Sequence, residues 1–384
     1  MSKQEFDWSQ EKISGFQEDF LYWYHLEKRN LPWRATNDPY AIWISEIMLQ
    51  QTRVDTVIGY FYRFMEEFPT IDALAQAEEQ KLLKVWEGLG YYSRARNLKA
   101  AAQQIVALYD GKMPATVEDI RSLKGIGPYT AGAIGSIAFG LPEPAIDGNV
   151  MRVVSRLFCI DADIAKASSR PIFDQKMRQI MSESEPGEFN QAFMDLGSSI
   201  CTPTAPKCEE CPIRRYCLAF AENNQTDYPV KSKKAKAKDV YFVAGAIEDD
   251  GSFLLTQRAE TGLLASMWHF PLREVTKKEY VHLASLWDKA EQPGQLDLIA
   301  EELTPDIFPE WPVIWQKRHF GEVTHLFTHL KWHILLFYGV KRQSFEAASG
   351  EWVKETAFDT YVFPKPQQKL VAQLKKYQKL DKDF

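Results

Sequence analysis

Four of the chain's five cysteines fall in one run, CTPTAPKCEECPIRRYC, as Cys201, Cys208, Cys211 and Cys217, with gaps of six, two and five residues. Thiols packed this closely cannot close two unstrained disulfides, and thiolate is a good metal ligand, so the run predicts metal or iron–sulfur ligation. Zinc usually takes two separated Cys-x-x-Cys pairs. Thiolates strung irregularly along one compact loop suit the corners of a [4Fe–4S] cube, which is the favoured reading over zinc. Pro203, Pro206 and Pro212 should hold such a loop open, with Lys207, Arg214 and Arg215 as a positive rim. Cys159, between Phe158 and Ile160, reads as a buried small hydrophobe.

A second stretch able to do chemistry is LKGIGPYTAG, residues 123–132. Gly125 and Gly127 make a tight turn into a small-residue helix opening at Pro128, so backbone N–H groups should stand exposed at a positive helix end. That is an anion site, and with the short helix before it, a grip on a DNA phosphate without regard to sequence. Two carboxylates stand in contrasting surroundings. Glu46 lies among Trp43, Ile44, Ile47, Met48 and Leu49, where desolvation favours the protonated acid. Asp147, in IDGNV at an apparent helix start, is expected to be kept ionised by nearby amides.

The elements that must position these groups follow from periodicity. Asp38-Pro39 reads as a cap and a first-turn proline. Val54, Val57, Ile58, Phe61, Phe64, Met65 and Phe68 then recur at amphipathic-helix spacing. A second helical pattern runs through Leu74, Leu82, Leu83 and Trp86 to Gly88 and Gly90, and a third through Leu98, Ala101, Ala102, Ile105 and Val106 to Gly111. Thr116 and Asp119 resemble a capping box for the short helix before the Gly-x-Gly turn. Residues 228–239, YPVKSKKAKAKD, hold five lysines and read equally as a solvated tether or a phosphate contact. Beyond them, VYFVAGAI, SFLLTQR and EVTHLFTHLKWHILLFYGV alternate like strands, and FPKPQQKLVAQLKKY like an amphipathic helix. The expected organisation is a mostly α domain over 1–225, a basic linker over 226–239 and an α+β domain over 240–384.

The chain has 384 residues, 45% hydrophobic and 26% charged, enough for two domains with separate cores. Its net charge of −6 does not decide against a polyanion, because a local basic surface governs nucleic-acid binding. The polar, acidic N-terminal stretch has no apolar core, and no segment reaches the roughly eighteen apolar residues of a membrane span. The expectation is a cytosolic monomer.

The pairing of a helix, Gly-x-Gly turn and helix with a four-cysteine loop resembles the helix-hairpin-helix, iron–sulfur DNA glycosylases of the endonuclease III type, over residues 20–222. WISEIMLQQTRV (43–54), GLGYYSRARNL (88–98) and AIDGNVMRVVSR (145–156), with the strand-rich second half, look like the MutY-type adenine DNA glycosylases. This resemblance implies excision of adenine mispaired with 8-oxoguanine or guanine in base excision repair, with double-stranded DNA as partner and a [4Fe–4S] cofactor. Cleaving the N-glycosidic bond needs an acid for the leaving purine and a negative charge for an oxocarbenium-like sugar. Glu46 suits the first role and the activation of water; Asp147 suits the second, as electrostatic stabiliser or transient nucleophile. Family positions that support this aspartate match Asn149 and Tyr129; those lining the adenine pocket match Arg34 and Gln191; those wedging into the base stack match Gln51 and Tyr91.

Bifunctional members of the superfamily carry a lysine where this chain has Tyr129, and a phenol cannot form an imine, so strand cleavage is not expected. Lys124, before the turn, should point into solvent. The second half resembles the Nudix fold through GLLASMWHFPL (262–272) but lacks its glutamate-rich metal helix, so it should not hydrolyse nucleotides. The family's Phe-Ser-His reader of 8-oxoguanine is matched by Phe327, Thr328 and His329, a hydroxyl kept and a methyl added. A glycosylase for another base, or a non-catalytic iron–sulfur DNA-binding protein, is the alternative.

Overall fold

The computed structural model describes residues 8–233, 236–285, 307–309, 311–345 and 350–382. The first seven residues of the polar N-terminal stretch and residues 234 and 235 of the lysine-rich segment lie outside the described residues, as do parts of the second domain. The chain divides into two compact units. One holds the chain up to Val85 with Ser93–Lys233, and the other Trp86–Tyr92 with the chain beyond Lys233.

The first unit is helical: α1 (Gln10–Glu27), α2 (Pro39–Leu49), α3 (Val54–Glu67), α4 (Ile71–Ala75), α5 (Glu79–Val85), α6 (Ser93–Tyr109), α7 (Val117–Ser122), α8 (Pro128–Phe139), α9 (Gly148–Phe158), α10 (Arg170–Ile180), α11 (Pro186–Ser199) and α12 (Leu218–Ala221). Helices α2 and α8 pack together, as do α4 and α6. The other part of the unit is a core in which α1 meets α9, α10, α11 and the cysteine loop through Phe16, Phe20, Phe189, Phe193 and Tyr216. Edge-on rings join the ends of this sequence, with Phe20 and Phe193 centroids 4.9 Å apart and Phe16 and Tyr216 5.4 Å apart; such pairs add about 1 kcal/mol each beyond their buried area.

Local signals explain most helix starts. The Asp38 carboxylate accepts from Tyr40 N at 3.0 Å ahead of Pro39, and the Thr116 hydroxyl accepts from Asp119 N at 3.2 Å. One expectation fails: the pattern from Leu74 to Trp86 is two helices, α4 and α5, rather than one. Thr70 caps α4, and Gln76 N closes it on Asp72 O at 3.0 Å, so Leu74 and Leu82 reach the core from separate helices. Cys159 also differs from expectation. It is half-buried and left-handed (φ 50) as the C-cap of α9, with its thiol 3.8 Å from the Glu222 carboxylate. The start of the expected linker is docked on this unit, where Ile164 N donates to Val230 O at 3.0 Å and Ser232 N to Asp163 Oδ1 at 3.1 Å.

The second unit is a mixed sheet of β1 (Lys238–Asp249), β2 (Ser252–Gln257), β3 (Trp268–His269), β4 (Leu272–Val275), β5 (Val313–Trp315), β6 (Gly321–Leu326), β7 (Leu330–Lys341) and β8 (Gly350–Lys354). Strands run in the order β3-β2-β1-β7-β5, with β4 on β1, β6 on β7 and β8 on β2. The central pair, β1 and β7, is parallel from Lys238↔Leu330 to Glu248↔Val340. Both faces of that pair are covered, so consecutive residues such as 243–247 and 334–337 are buried and the expected alternation gives way there to continuous apolar runs. Ala244, Ala246, Ile334 and Leu336 face α14 (Lys365–Lys382) through Leu370 and Leu374, while Val243, Ile247, Leu335 and Phe337 face α13 (Lys277–Ser285) through Tyr280 and Leu283.

Candidate active site

Helix α2 is apolar on every side and buried from Tyr40 to Met48, as a core helix should be. Its one ionisable carboxyl, Glu46, is 5% exposed. Burial pushes that carboxyl up to about 7; the Asp147 charge adds to the rise, while a hydrogen bond from Tyr129 and the Arg34 guanidinium oppose it. The Tyr129 phenol, in the first turn of α8, donates to Glu46 Oε2 at 2.7 Å. Burial and the neighbouring carboxylates raise the phenol well above its usual range, so it is a neutral donor. The expected partner of Tyr129 was Asp147; the hydrogen bond goes to Glu46 because α8 packs on α2.

Asp147 is the N-cap of α9, its Oδ1 accepting from Val150 N at 2.7 Å and its Oδ2 from Asn149 Nδ2 at 2.9 Å. The loop before it is anchored by Asn190, fully buried, which accepts from Ala145 N at 3.0 Å and donates to Glu143 O and Ser136 Oγ, both at 2.9 Å. The amides were expected to keep Asp147 ionised. They do favour its charge, but burial outweighs them and raises the carboxyl above its ordinary value. Asn149 is itself held by Arg152, which donates to Asn149 Oδ1 at 2.9 Å, Gly197 O at 2.7 Å and Cys201 O at 2.9 Å.

Glu46, Asp147, Tyr129, Asn149, Arg34 and Gln191 all line one cavity of about 200 Å³. Gln191 Nε2 donates to Gly187 O at 3.2 Å, one helical turn back. Arg34 is held by Asp195, with Nη1 to Oδ2 at 2.7 Å and Nη2 to Oδ1 at 3.0 Å, and Arg29 grips the same carboxylate while also lining the cavity. Arg29 and Asp195 escaped the reading of the sequence; the signal was there, since Asp195 lies four residues after Gln191 on the same helix face.

Other candidates lie around this cavity or apart from it. Gln51 follows α2 with φ 59, a left-handed conformation costly for a non-glycine residue, and it is exposed. Arg94 satisfies the end of α2, donating to Ile47 O at 2.8 Å and Gln50 O at 2.6 Å. In the hairpin, Gly125 has φ 78, and a Cβ there would stand 2.6 Å from Asn97 Cβ; a Cβ on Gly127, the N-cap of α8, would meet open space. Lys124 is exposed and its amide donates to Gln104 Oε1 at 2.7 Å.

The four loop cysteines line a second cavity with Arg156. Arg156 is 2% exposed, stands 3.2 Å from Cys201 Sγ, and donates to Thr202 O, Pro203 O, Gln225 O and Tyr228 O within 3.0 Å. Burial, and then the charges of the other cysteines, push the Cys211 thiol up to about 12 and the Cys217 thiol to about 11. Four such thiolates coexist only around a polycationic centre, so this donor set fits a cluster of iron ions. The expected positive rim is neutralised: Lys207 pairs with Glu210 at 3.7 Å, Arg214 with Glu209 at 2.6 Å and Arg215 with Asp19 at 2.6 Å.

In the second unit, Phe327, Thr328 and His329 form the turn between β6 and β7, closed by Phe327 N to Leu330 O at 2.7 Å. Phe327 packs edge-on against Trp332 at 5.0 Å and His325 at 4.5 Å, leaving Thr328 and His329 exposed. Tyr91, grouped with this unit, is left-handed (φ 46) and 48% exposed, and its hydroxyl lies 2.9 Å from Thr328 Oγ1.

Comparison with known proteins matches residues 44–179 to the HhH-GPD superfamily of base excision DNA repair proteins and residues 242–373 to the NUDIX domain. The adenine DNA glycosylase of Mus musculus is 34% identical over 372 residues, covering 83% of this chain and 69% of its own length. That of Buchnera aphidicola subsp. Schizaphis graminum is 38% identical over 266 residues, 67% of this chain and 75% of its own length. The solved structure of a thermostable thymine-DNA glycosylase superposes with a TM-score of 0.51 at 27% identity, over 55% of this chain and 98% of that one. A helical repair-protein unit, a Nudix-like unit and this extent of identity place the chain in the family of adenine DNA glycosylases.

Proposed function

We propose that this DNA glycosylase excises adenine mispaired with 8-oxoguanine or guanine and leaves the strand intact. The carrying observation is one cavity in which a buried, protonatable Glu46, a hydrogen-bonded Asp147 and a neutral Tyr129 converge. Duplex DNA seats a phosphate on the amides of the Gly125–Gly127 turn. Gln51 and Tyr91, both already in strained left-handed backbone, fill the stack that the flipped adenine leaves. The adenine enters the cavity, bordered by Arg34 and Gln191.

Because Tyr129 donates to Oε2, a protonated Glu46 carries its proton on Oε1. That proton passes to a ring nitrogen of the purine as the C–N bond breaks, and the bonding pair leaves with the base. Asp147, fixed by Val150 N and Asn149, stabilises the positive sugar or bonds to it transiently. Glu46, now a carboxylate, takes a proton from the attacking water and is restored as the acid. The position of the lyase lysine is Tyr129, whose phenol cannot form an imine with the sugar, so this reading has no strand cleavage.

A [4Fe–4S] cluster on Cys201, Cys208, Cys211 and Cys217 would act as a cross-link of the loop, with no step of the reaction passing through it. Phe327, Thr328 and His329 read 8-oxoguanine from the second unit. The functional division we adopt is a catalytic domain over 1–225, a linker over 226–239 and a recognition domain over 240–384. The test is a single-turnover assay on a duplex with 8-oxoguanine opposite adenine, with and without alkaline work-up. Scission only after alkali is expected; scission without alkali overturns the monofunctional reading, and none in either case overturns the choice of substrate.

A further inference from the structure

Behind the wall of the same cavity lies a buried carboxylate to which the reaction assigns no role. Asp195, 4% exposed on α11, receives both guanidiniums of the site: Arg34 through Nη1 and Nη2 at 2.7 and 3.0 Å, and Arg29 through Nε at 3.0 Å and through Nη2. Burial pushes the Asp195 carboxyl up, but hydrogen bonds and charge from Arg34 and Arg29 outweigh it and hold the group below its usual range, so it is an anion. Two positive charges therefore share one negative charge beside an acid that has to keep its proton. Arg34 is nearly enclosed, with its side chain 11% exposed, so solvent screens it little.

The groups around Glu46 make the problem specific. From α8 it faces Tyr129, from the start of α9 Asp147, and from the short turn Pro32–Arg34 the guanidinium of Arg34. Arg29 lines the same cavity; the cavity-lining residues from α11 are Gln191, Met194 and Ser198, and those from the α2–α3 segment include Thr52 and Val54, all uncharged. Arg34 is thus the cation that acts directly on Glu46, in the direction of removing its proton.

We propose that Asp195 is a positioning residue for the glycosylase reaction: it pins Arg34 to the cavity wall and cancels its charge there, so that Glu46 stays an acid. A flipped purine then meets an oriented guanidinium without that guanidinium disabling the proton donor. The carboxylate does this without touching substrate, since it is not among the residues lining the cavity.

This inference rests on the reading of Glu46 as general acid, and the experiment separates the two. Single-turnover rates on an 8-oxoguanine:adenine duplex are measured from pH 5.5 to 9 for the whole protein and for Asp195→Asn, Asp195→Glu, Arg34→Gln and Glu46→Gln. Removing the anion makes the site more positive, so the basic limb of the Asp195→Asn profile is expected about 0.5–1 pH unit lower, a loss of about 3–10-fold at pH 8.5 and far less at pH 6. Asp195→Glu should return the limb toward its original position, and Arg34→Gln should move it upward. A uniform loss at every pH with the limb unmoved would mean that Asp195 only braces α11, and would overturn the proposal. Should Asp195→Asn not fold, Arg34→Gln decides, since an unmoved limb there overturns it equally. If Glu46→Gln is inactive while the Asp195→Asn limb stays in place, only this inference falls; if Glu46→Gln keeps its rate, the reading of Glu46 falls with it.

Discussion

Glu46→Gln should stabilise the helical unit as it removes activity, by an amount that depends on pH. The Glu46 carboxyl moves from 4.5 to about 7 on folding, chiefly through burial. A carboxyl raised in the folded state binds its proton more tightly there, so its contribution to stability is present below 4.5 and is lost as pH rises through 7. At about 1.4 kcal/mol per unit the full loss is about 3.4 kcal/mol, of which about 2.5 kcal/mol falls between pH 5 and pH 8.5. Gln has nearly the same shape and no charge to bury, so any misfit of its amide gives an offset independent of pH. Terms common to both proteins largely cancel in the difference, and the repulsion between Asp147 and Glu46 is already contained in the rise of the Glu46 carboxyl. The assay is urea unfolding of wild type and variant at pH 5 and pH 8.5. The variant should gain about 2.5 kcal/mol on the wild type across that range, or roughly 5–10 °C in a thermal midpoint for a domain of this size. A difference constant to within about 0.5 kcal/mol would sink the idea that Glu46 is an acid strained by its burial.

The two hairpin glycines should separate folding from DNA binding. Gly125→Ala puts a left-handed alanine against Asn97 and should cost about 2–4 kcal/mol in urea unfolding. Gly127→Ala meets open space at ordinary φ and should cost at most about 1 kcal/mol while weakening binding to undamaged duplex; equal effects on both properties from both variants would count against a phosphate at this turn. In the second unit, His329→Ala alters an exposed turn residue, so stability should hold while the preference for 8-oxoguanine over guanine opposite adenine declines. An unchanged ratio of rates on the two mispairs would remove His329 as the reader.

Legibility in the sequence followed the range of the interaction. Asp38 and Thr116 cap helices because their partners are two and three residues away, and the α2 run announced the desolvation of Glu46 because its apolar neighbours are adjacent in the chain. The sheet strands were readable from their aromatic and β-branched composition, while the covering of both faces of β1 and β7 by distant helices was not. What depended on distant segments was not readable. The amides that favour the charge of Asp147 were readable, whereas the burial beneath other helices that opposes them and raises the carboxyl was not. Tyr129 found Glu46, 83 residues away, and Asp195 is gripped by arginines 161 and 166 residues before it. The break between α4 and α5 lies in a stretch with neither glycine nor proline, so apolar spacing ran straight across it.

The joining of α1 to α9–α11 and the cysteine loop bears on how the molecule is made. As the chain leaves the ribosome, Phe16 and Phe20 emerge early, yet the rings they pack against, Phe189, Phe193 and Tyr216, follow some 170–200 residues later. Helices α2–α8 follow and find packing partners among themselves, while α1 must wait with its aromatic face uncovered. The sheet repeats the situation, since Val243 has to await Leu335 in parallel register across the whole of β2 to β6. Both units depend on contacts between segments far apart in the chain, a topology that slows folding and prolongs the exposure of apolar surface in the nascent chain. The Cys201–Cys217 loop arrives as α1 is covered, so a group held by its four thiols would fasten the helical unit only after that aromatic core has closed.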